Sequence, residues 1–196
     1  MPGRIRPVLL LAALACAAPL AAQEQEAAAL RGGRRTYMPP SRMFSCEIPA
    51  AGWHAFEEED ALGLVVHILG PDNPAGTFRT GFSVRWFDKD TPGFVNPKKA
   101  VELMRRPDQA TQRSATPVQP ARGAGGLLAR VFEVLETRLL PLERLPAGPE
   151  VIHHYVAVIP SGAGYYVVRL SSTRDVYLDF RDDYLRFLKS FQPLGR

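Results

Sequence analysis

The sequence is short of the residues and patterns that would fix its chemistry at once. Only two of its 196 residues are cysteine, Cys16 and Cys46, so no disulfide framework is available and the fold must rest on a buried core. Beyond the N-terminus no apolar run approaches the roughly 20 residues of a spanning helix, because charges, proline or glycine interrupt each one. The main part of the chain also lacks a charge surplus. Of 24 basic and 20 acidic residues, Arg4, Arg6, Arg31, Arg34, Arg35, Arg42, Glu24 and Glu26 precede residue 43, which leaves 18 of each sign beyond it. A nucleic-acid surface needs clustered Lys and Arg on the folded domain, so no nucleic-acid partner is expected.

Catalytic and ligand motifs are missing as well. Ser161-Gly162-Ala163-Gly164 lacks the Gly-x-Ser-x-Gly order of a nucleophile elbow. The glycines from Gly123 to Gly126 are not followed by the Lys-Ser/Thr of a phosphate loop. Glu57-Glu58-Glu59-Asp60 are consecutive, whereas a calcium loop spaces its acids with turns. His153 and His154 are adjacent in an apolar strand, so they face opposite sides of a sheet and do not share a metal. His54 and His67 complete no ligand set with them. The expectation is therefore a protein with no catalytic residues, no cofactor and no metal.

What is present begins with Arg4 and Arg6, the apolar run Val8 to Leu14, and small residues ending at Ala21-Ala22. That order is a secretory signal, read as residues 1–22 with cleavage before Gln23, and it predicts a periplasmic or secreted protein. Ala13-Leu14-Ala15-Cys16 offers an alternative, a lipid anchor on Cys16, although the chain after it stays apolar where a lipoprotein normally turns polar. Residues 23–42, rich in Ala, Gly and Arg and closed by Pro39-Pro40, are expected to be a flexible linker. Residues 43–196 are expected to be a single globular domain.

Within that domain Phe44, Cys46 and Ile48 alternate with polar residues, Trp53 opens a second strand, and 62–69 and 81–87 are further strands. Asn96-Pro97 is a helix start, with the helix running to about Arg106. Residues 107–125 carry proline, glutamine and glycine and read as a long structureless loop. Leu127 to Thr137, Val151 to Ile159 and Tyr165 to Ser171 are strands, the last two joined by the 161–164 hairpin. Tyr177, Phe180, Tyr184, Phe187, Leu188 and Phe191 recur at helical steps after a Ser172-x-x-Asp175 cap. Strands apolar on both faces need cover on both, which predicts an α+β fold: an antiparallel sheet of about six or seven strands with helices on both faces.

Phe44-x-x-x-Ile48-Pro49-x-x-Gly52-Trp53, Tyr165-Tyr166-Val167-Val168 and Phe187-Leu188-x-Ser190-Phe191 together resemble the Mog1/PsbP-like superfamily. The likeness follows element order over residues 43–196. It implies an α/β/α sandwich in a family that includes extrinsic photosystem subunits, a small-GTPase partner and bacterial envelope proteins. It implies no shared catalytic residue.

The resulting expectation is an exported, non-enzymatic envelope protein that binds a protein partner or a small apolar ligand through the 88–96 and 107–125 loops. Trp86, Phe87, Phe94, Arg113 and Arg122 are the candidate contact residues. Two alternatives remain: a hydrolase whose site is assembled from scattered residues, and a structural component anchored through Cys16. A serine, a histidine and an acid within hydrogen-bond reach would favour the hydrolase.

Overall fold

The computed structural model describes residues 33–123, 126–141 and 146–194. The expected signal sequence, its cleavage site, Cys16 and residues 23–32 of the expected linker lie outside the described residues. No helix among the described residues is long and apolar enough to cross a membrane.

Among the described residues eleven strands and two helices follow one another in chain order: β1 (Arg34–Tyr37), β2 (Phe44–Pro49), β3 (His54–Asp60), β4 (Gly63–Asp72), β5 (Arg79–Asp88), α1 (Pro97–Met104), β6 (Ser114–Ala115), β7 (Gln119–Arg122), β8 (Leu128–Leu140), β9 (Gly148–Ser161), β10 (Gly164–Thr173), α2 (Arg181–Ser190) and β11 (Gln192–Pro193). The main sheet is eight-stranded, ordered β3-β4-β5-β10-β9-β8-β6, with β7 also on β8. Its strand pairs are antiparallel. A second sheet of three strands has the order β1-β2-β11.

The expected sandwich, with helices covering both faces of six or seven strands, does not form. The described chain is mostly strand, and its two helices are only 8 and 10 residues long. One face of the main sheet is roofed by the second sheet together with α2, as Phe44, Cys46, Ile48, Phe187 and Phe191 close over Val66, Ile68, Phe82, Val84, Val168 and Leu170. The other face carries α1, whose Ala100 and Val101 cover Phe132, Val134, Val156, Val158, Tyr165 and Val167. An 8-residue helix is about 12 Å long, so it shields one end of the long strands; at the other end Glu136, Ile152 and His154 are still buried, and Ser83, Arg85 and Arg169 are half-buried.

Three further expectations need correction. Part of the expected linker is sheet: β1 pairs with β2 from Arg34↔Pro49 to Tyr37↔Cys46. The 107–125 stretch is not structureless, because β6 and β7 run in turn along the outer edge of β8. Thr116 fixes the link between them: its N–H donates to Glu133 O, and its Oγ1 accepts from Glu133 N. An edge strand tolerates Pro120, which has no N–H to donate. Finally, the last helix starts at Arg181 with no side-chain cap. Ser172 and Thr173 instead continue β10, opposite His153 and Ile152.

Other local signals form as expected. Asn96 caps α1, its side chain accepting from Lys99 N at 2.9 Å, with Pro97 in the first turn. The 161–164 hairpin sets the register Gly164↔Ser161. Gly52 takes φ +73, the left-handed conformation that turns the chain into Trp53. The Trp53 ring then lies on Gly70, where a β-carbon would come within 2.6 Å of Cζ2. Trp53 thus seals the core beside Phe82 and Phe180.

Candidate functional site

Side chains alternate along each strand, so β8, β9 and β10 each send every second residue to the α1 side. Near α1 those residues are apolar. Further along the same strands they become Glu136 and Arg138, His154, and Arg169 and Ser171. In β4 and β5, His67, Ser83 and Arg85 are on this side too, since Arg85 pairs with Val167 and His67 with Ser83. Arg113 reaches the patch from the segment before β6. The outcome is a polar half-face on the α1 side of the sheet.

His154 is buried in this half-face. Ser171 sits opposite it in the β9–β10 register, and Ser171 Oγ is 2.7 Å from His154 Nδ1. The other ring nitrogen, Nε2, is 3.3 Å from Glu136 Oε1, outside hydrogen-bonding direction. The Glu136 carboxylate favours the proton on Nε2, which leaves Nδ1 to accept from the Ser171 hydroxyl. Burial pushes the His154 pKa below its ordinary 6.5 despite the pull of Glu136, so the ring is neutral at neutral pH. The His154 ring, ahead of the Arg138 guanidinium, holds the Glu136 carboxyl down at about 2. Arg138 Nε donates to Glu136 Oε1 at 2.6 Å, and Arg113 Nε lies 3.8 Å from Glu136 Oε2.

Arg169 is half-buried between two groups of charges. On one side Arg85 forms an ion pair with Asp60 at 2.5 Å and donates to Gly63 O. On the other, Arg113 and Arg138 share Glu136. Among the described residues the Arg169 side chain makes no hydrogen bond and no ion pair. Burial lowers its pKa from the ordinary arginine value; Glu136 opposes this, and Arg113, Arg138 and Arg85 add to it. Four guanidiniums thus face Glu136 and Asp60, with Glu58 beside His67 at the margin.

His153 points the opposite way, as strand alternation requires. Its ring stacks on Tyr177 with centroids 3.9 Å apart, and its Nε2 lies 2.9 Å from Glu133 Oε2. His67 is 3.5 Å from Glu58 and stacks on Phe56. Among the described residues no three His, Cys, Asp or Glu side chains are placed to share a metal.

The five residues expected to form a contact surface do not meet. Trp86 lies on the α2 side against Tyr166, with centroids 4.5 Å apart. Phe87 and Phe94 pack on Tyr165 beneath α1. Arg122 is exposed on β7, beside a cavity lined also by Ala121, Leu127, Ile159, Leu188 and Phe191. That cavity holds about 10 Å³, the lower limit for a single water, so it does not fit a small apolar ligand. Only Arg113 belongs to the polar half-face, where its Nη2 also donates to Met104 O at 2.7 Å. Sequence reasoning missed Arg169, Glu136 and Ser171. The signal that could have found them is the polar break, at Arg169 and Ser171, in an otherwise apolar strand.

This architecture is a PsbP-like fold, as the sequence resemblance implied. Among solved structures, the cyanobacterial PsbP (CyanoP) of Synechocystis sp. is similar over 82% of this chain and 92% of its own, with a TM-score of 0.50 and 14% identity. A Pseudomonas aeruginosa protein of unknown function, PA94, is similar over 84% of this chain and 100% of its own, with a TM-score of 0.52 and 11% identity. At these identities the likeness concerns the fold. No family model matches the sequence, and no curated protein does.

Proposed function

We propose that this is an exported, non-enzymatic binding protein that engages its partner through the polar half-face beside α1. The observation that carries the reading is the charge balance of this half-face: α1 covers the apolar end of the strands, and beyond it a half-buried patch around Ser83, Arg85 and Arg169 gathers more guanidinium than carboxylate. A half-buried, charge-unbalanced patch on a rigid sheet suits recognition better than it suits stability. The loops first expected to do the binding are less suitable, because 107–125 is largely zipped onto β8 and the nearby cavity is too small. Export rests on the N-terminal signal pattern alone.

The test is paired capture from envelope extracts. Ser83→Trp fills the middle of the half-face, whereas Leu185→Trp adds the same bulk on the exposed side of α2. Loss of the captured partner with Ser83→Trp alone, both variants melting near the parent, is the expected result. Equal capture by both variants would remove the half-face from the account.

One observation favours a second, enzymatic reading. Ser171, His154 and Glu136 form a serine–histidine–acid series in which Nδ1 is placed to take the serine proton. Against it, Ser171 lies within a strand paired on both sides, whose main-chain N–H groups run in the sheet plane. No main-chain oxyanion hole therefore opens beside it. A fluorophosphonate probe distinguishes the readings: covalent labelling of the protein that is lost in Ser171→Ala would establish a hydrolase, and the binding account expects no label.

A further inference from the structure

We infer that Arg169 anchors an oxyanion-binding site, taking a carboxylate or phosphate group of the ligand between itself and the Arg113–Arg138 pair. The inference rests on the half-face being the binding surface and adds the chemical class that it recognises.

Every other guanidinium of the cluster has a carboxylate: Arg85 has Asp60, and Arg113 and Arg138 divide Glu136. Arg169 is the exception among the described residues. A guanidinium withdrawn from water without an anion is unfavourable, and a carboxylate or phosphate that accepts two parallel N–H bonds is the partner that offsets it best. Glu136 is fully committed, with both of its oxygens facing Arg113, Arg138 or His154. It is thus not free to turn to Arg169.

The surroundings favour an anion over other ligands. Arg113 Nε is buried and has no hydrogen-bond acceptor, although it lies near Glu136. It can donate to a second oxygen of an anion held on Arg169. The His154 ring is neutral and its Nδ1 is occupied by Ser171, so the histidine adds no competing charge. Ser83, opposite Arg169 in the β5–β10 register, presents only a small side chain beside the arginine. Planar carboxylate and tetrahedral phosphate both meet these requirements, and the titrations below separate them.

The experiment follows the Arg169 Nε–Hε resonance in the full mature protein, assigned by through-bond correlation from its backbone. Acetate, inorganic phosphate and chloride are titrated at matched ionic strength. A saturable shift with acetate or phosphate, absent with chloride, is the expected result, and the arm that gives it names the group. No saturable shift, or the same shift with chloride, overturns the inference. Arg169→Gln provides a second reading: acetate or phosphate raises the melting temperature of the parent and leaves that of the variant unmoved. Equal stabilisation of both overturns it as well. If the titrations fail while Ser83→Trp still abolishes capture, the binding face stands and the oxyanion site falls. If they succeed while Ser83→Trp captures normally, the oxyanion site stands and the binding face falls.

Discussion

Phe82 on the main sheet and Phe187 on α2 stack with ring centroids 4.4 Å apart and planes 17° apart. Both are fully buried, and Phe44 and Phe191 extend the cluster into the second sheet. This contact joins the two layers. Phe187→Ala should therefore cost about 3–5 kcal/mol, a large part of a small domain's stability. Denaturant midpoints measure it; an unchanged midpoint would mean that α2 is not part of the core.

The segment from 117 to 122 contributes stability through β7. Its strand pairs Gln119↔Val131 to Arg122↔Leu128 satisfy the outer edge of β8. Excising it would leave that edge unpaired, at a cost on the order of 2 kcal/mol from lost ladder bonds. Aggregation that rises with protein concentration should follow. Unfolding curves and light scattering check both effects, and a variant with parental stability and solubility would contradict them.

His154 should make stability depend on pH. Its folded pKa is depressed by burial below 6.5, its ordinary value, so the unfolded chain binds the proton first. Stability is complete above about pH 6.5 and falls as the pH drops through the folded value. His153 is depressed in the same direction, again by burial. Glu136 acts in a lower window: its stabilisation is complete above the ordinary 4.5 and is lost as the pH approaches about 2. Melting temperatures should fall on acidification below neutrality, less steeply in His154→Gln. An identical profile in that variant would show that the ring is not held neutral by its surroundings.

Cys46 should be silent. Its side chain is buried beneath the second sheet, and burial pushes the thiol up to about 12. The thiolate, which is the reactive form, is then scarce at neutral pH. An aromatic disulfide reagent should label it only after denaturant is added. Rapid labelling of the native protein would place the thiol at the surface.

Much of the strand pattern was legible in the sequence because alternation and turn residues are local. The β2 pattern Phe44, Cys46, Ile48 and the 161–164 hairpin both form. The terminal helix was misread because Tyr177 and Phe180 keep a helical spacing and do pack on the core, yet they reach it from the turns before Arg181. Periodicity recorded their burial without recording the backbone that achieves it. The polar half-face was hidden for a different reason. Ser171 meets His154 only through the β9–β10 register, and Glu136 reaches the same ring only through β8–β9. A shift of one residue would send either side chain to the opposite face, and no local signal sets such pairings over the whole sheet.

The most direct test of the binding face is site-specific photocrosslinking with benzoylphenylalanine, which is close in shape to phenylalanine. Phe56 is 45% exposed on β3 and stacks on His67 at the margin of the half-face, whereas Leu185 is 50% exposed on the outer side of α2. Placed at 56, the crosslinker should give a discrete partner adduct in envelope extracts that excess unlabelled protein competes away. Placed at 185, it should give none. Adducts from 185 with none from 56 would contradict the account and move the binding surface to the α2 side of the molecule.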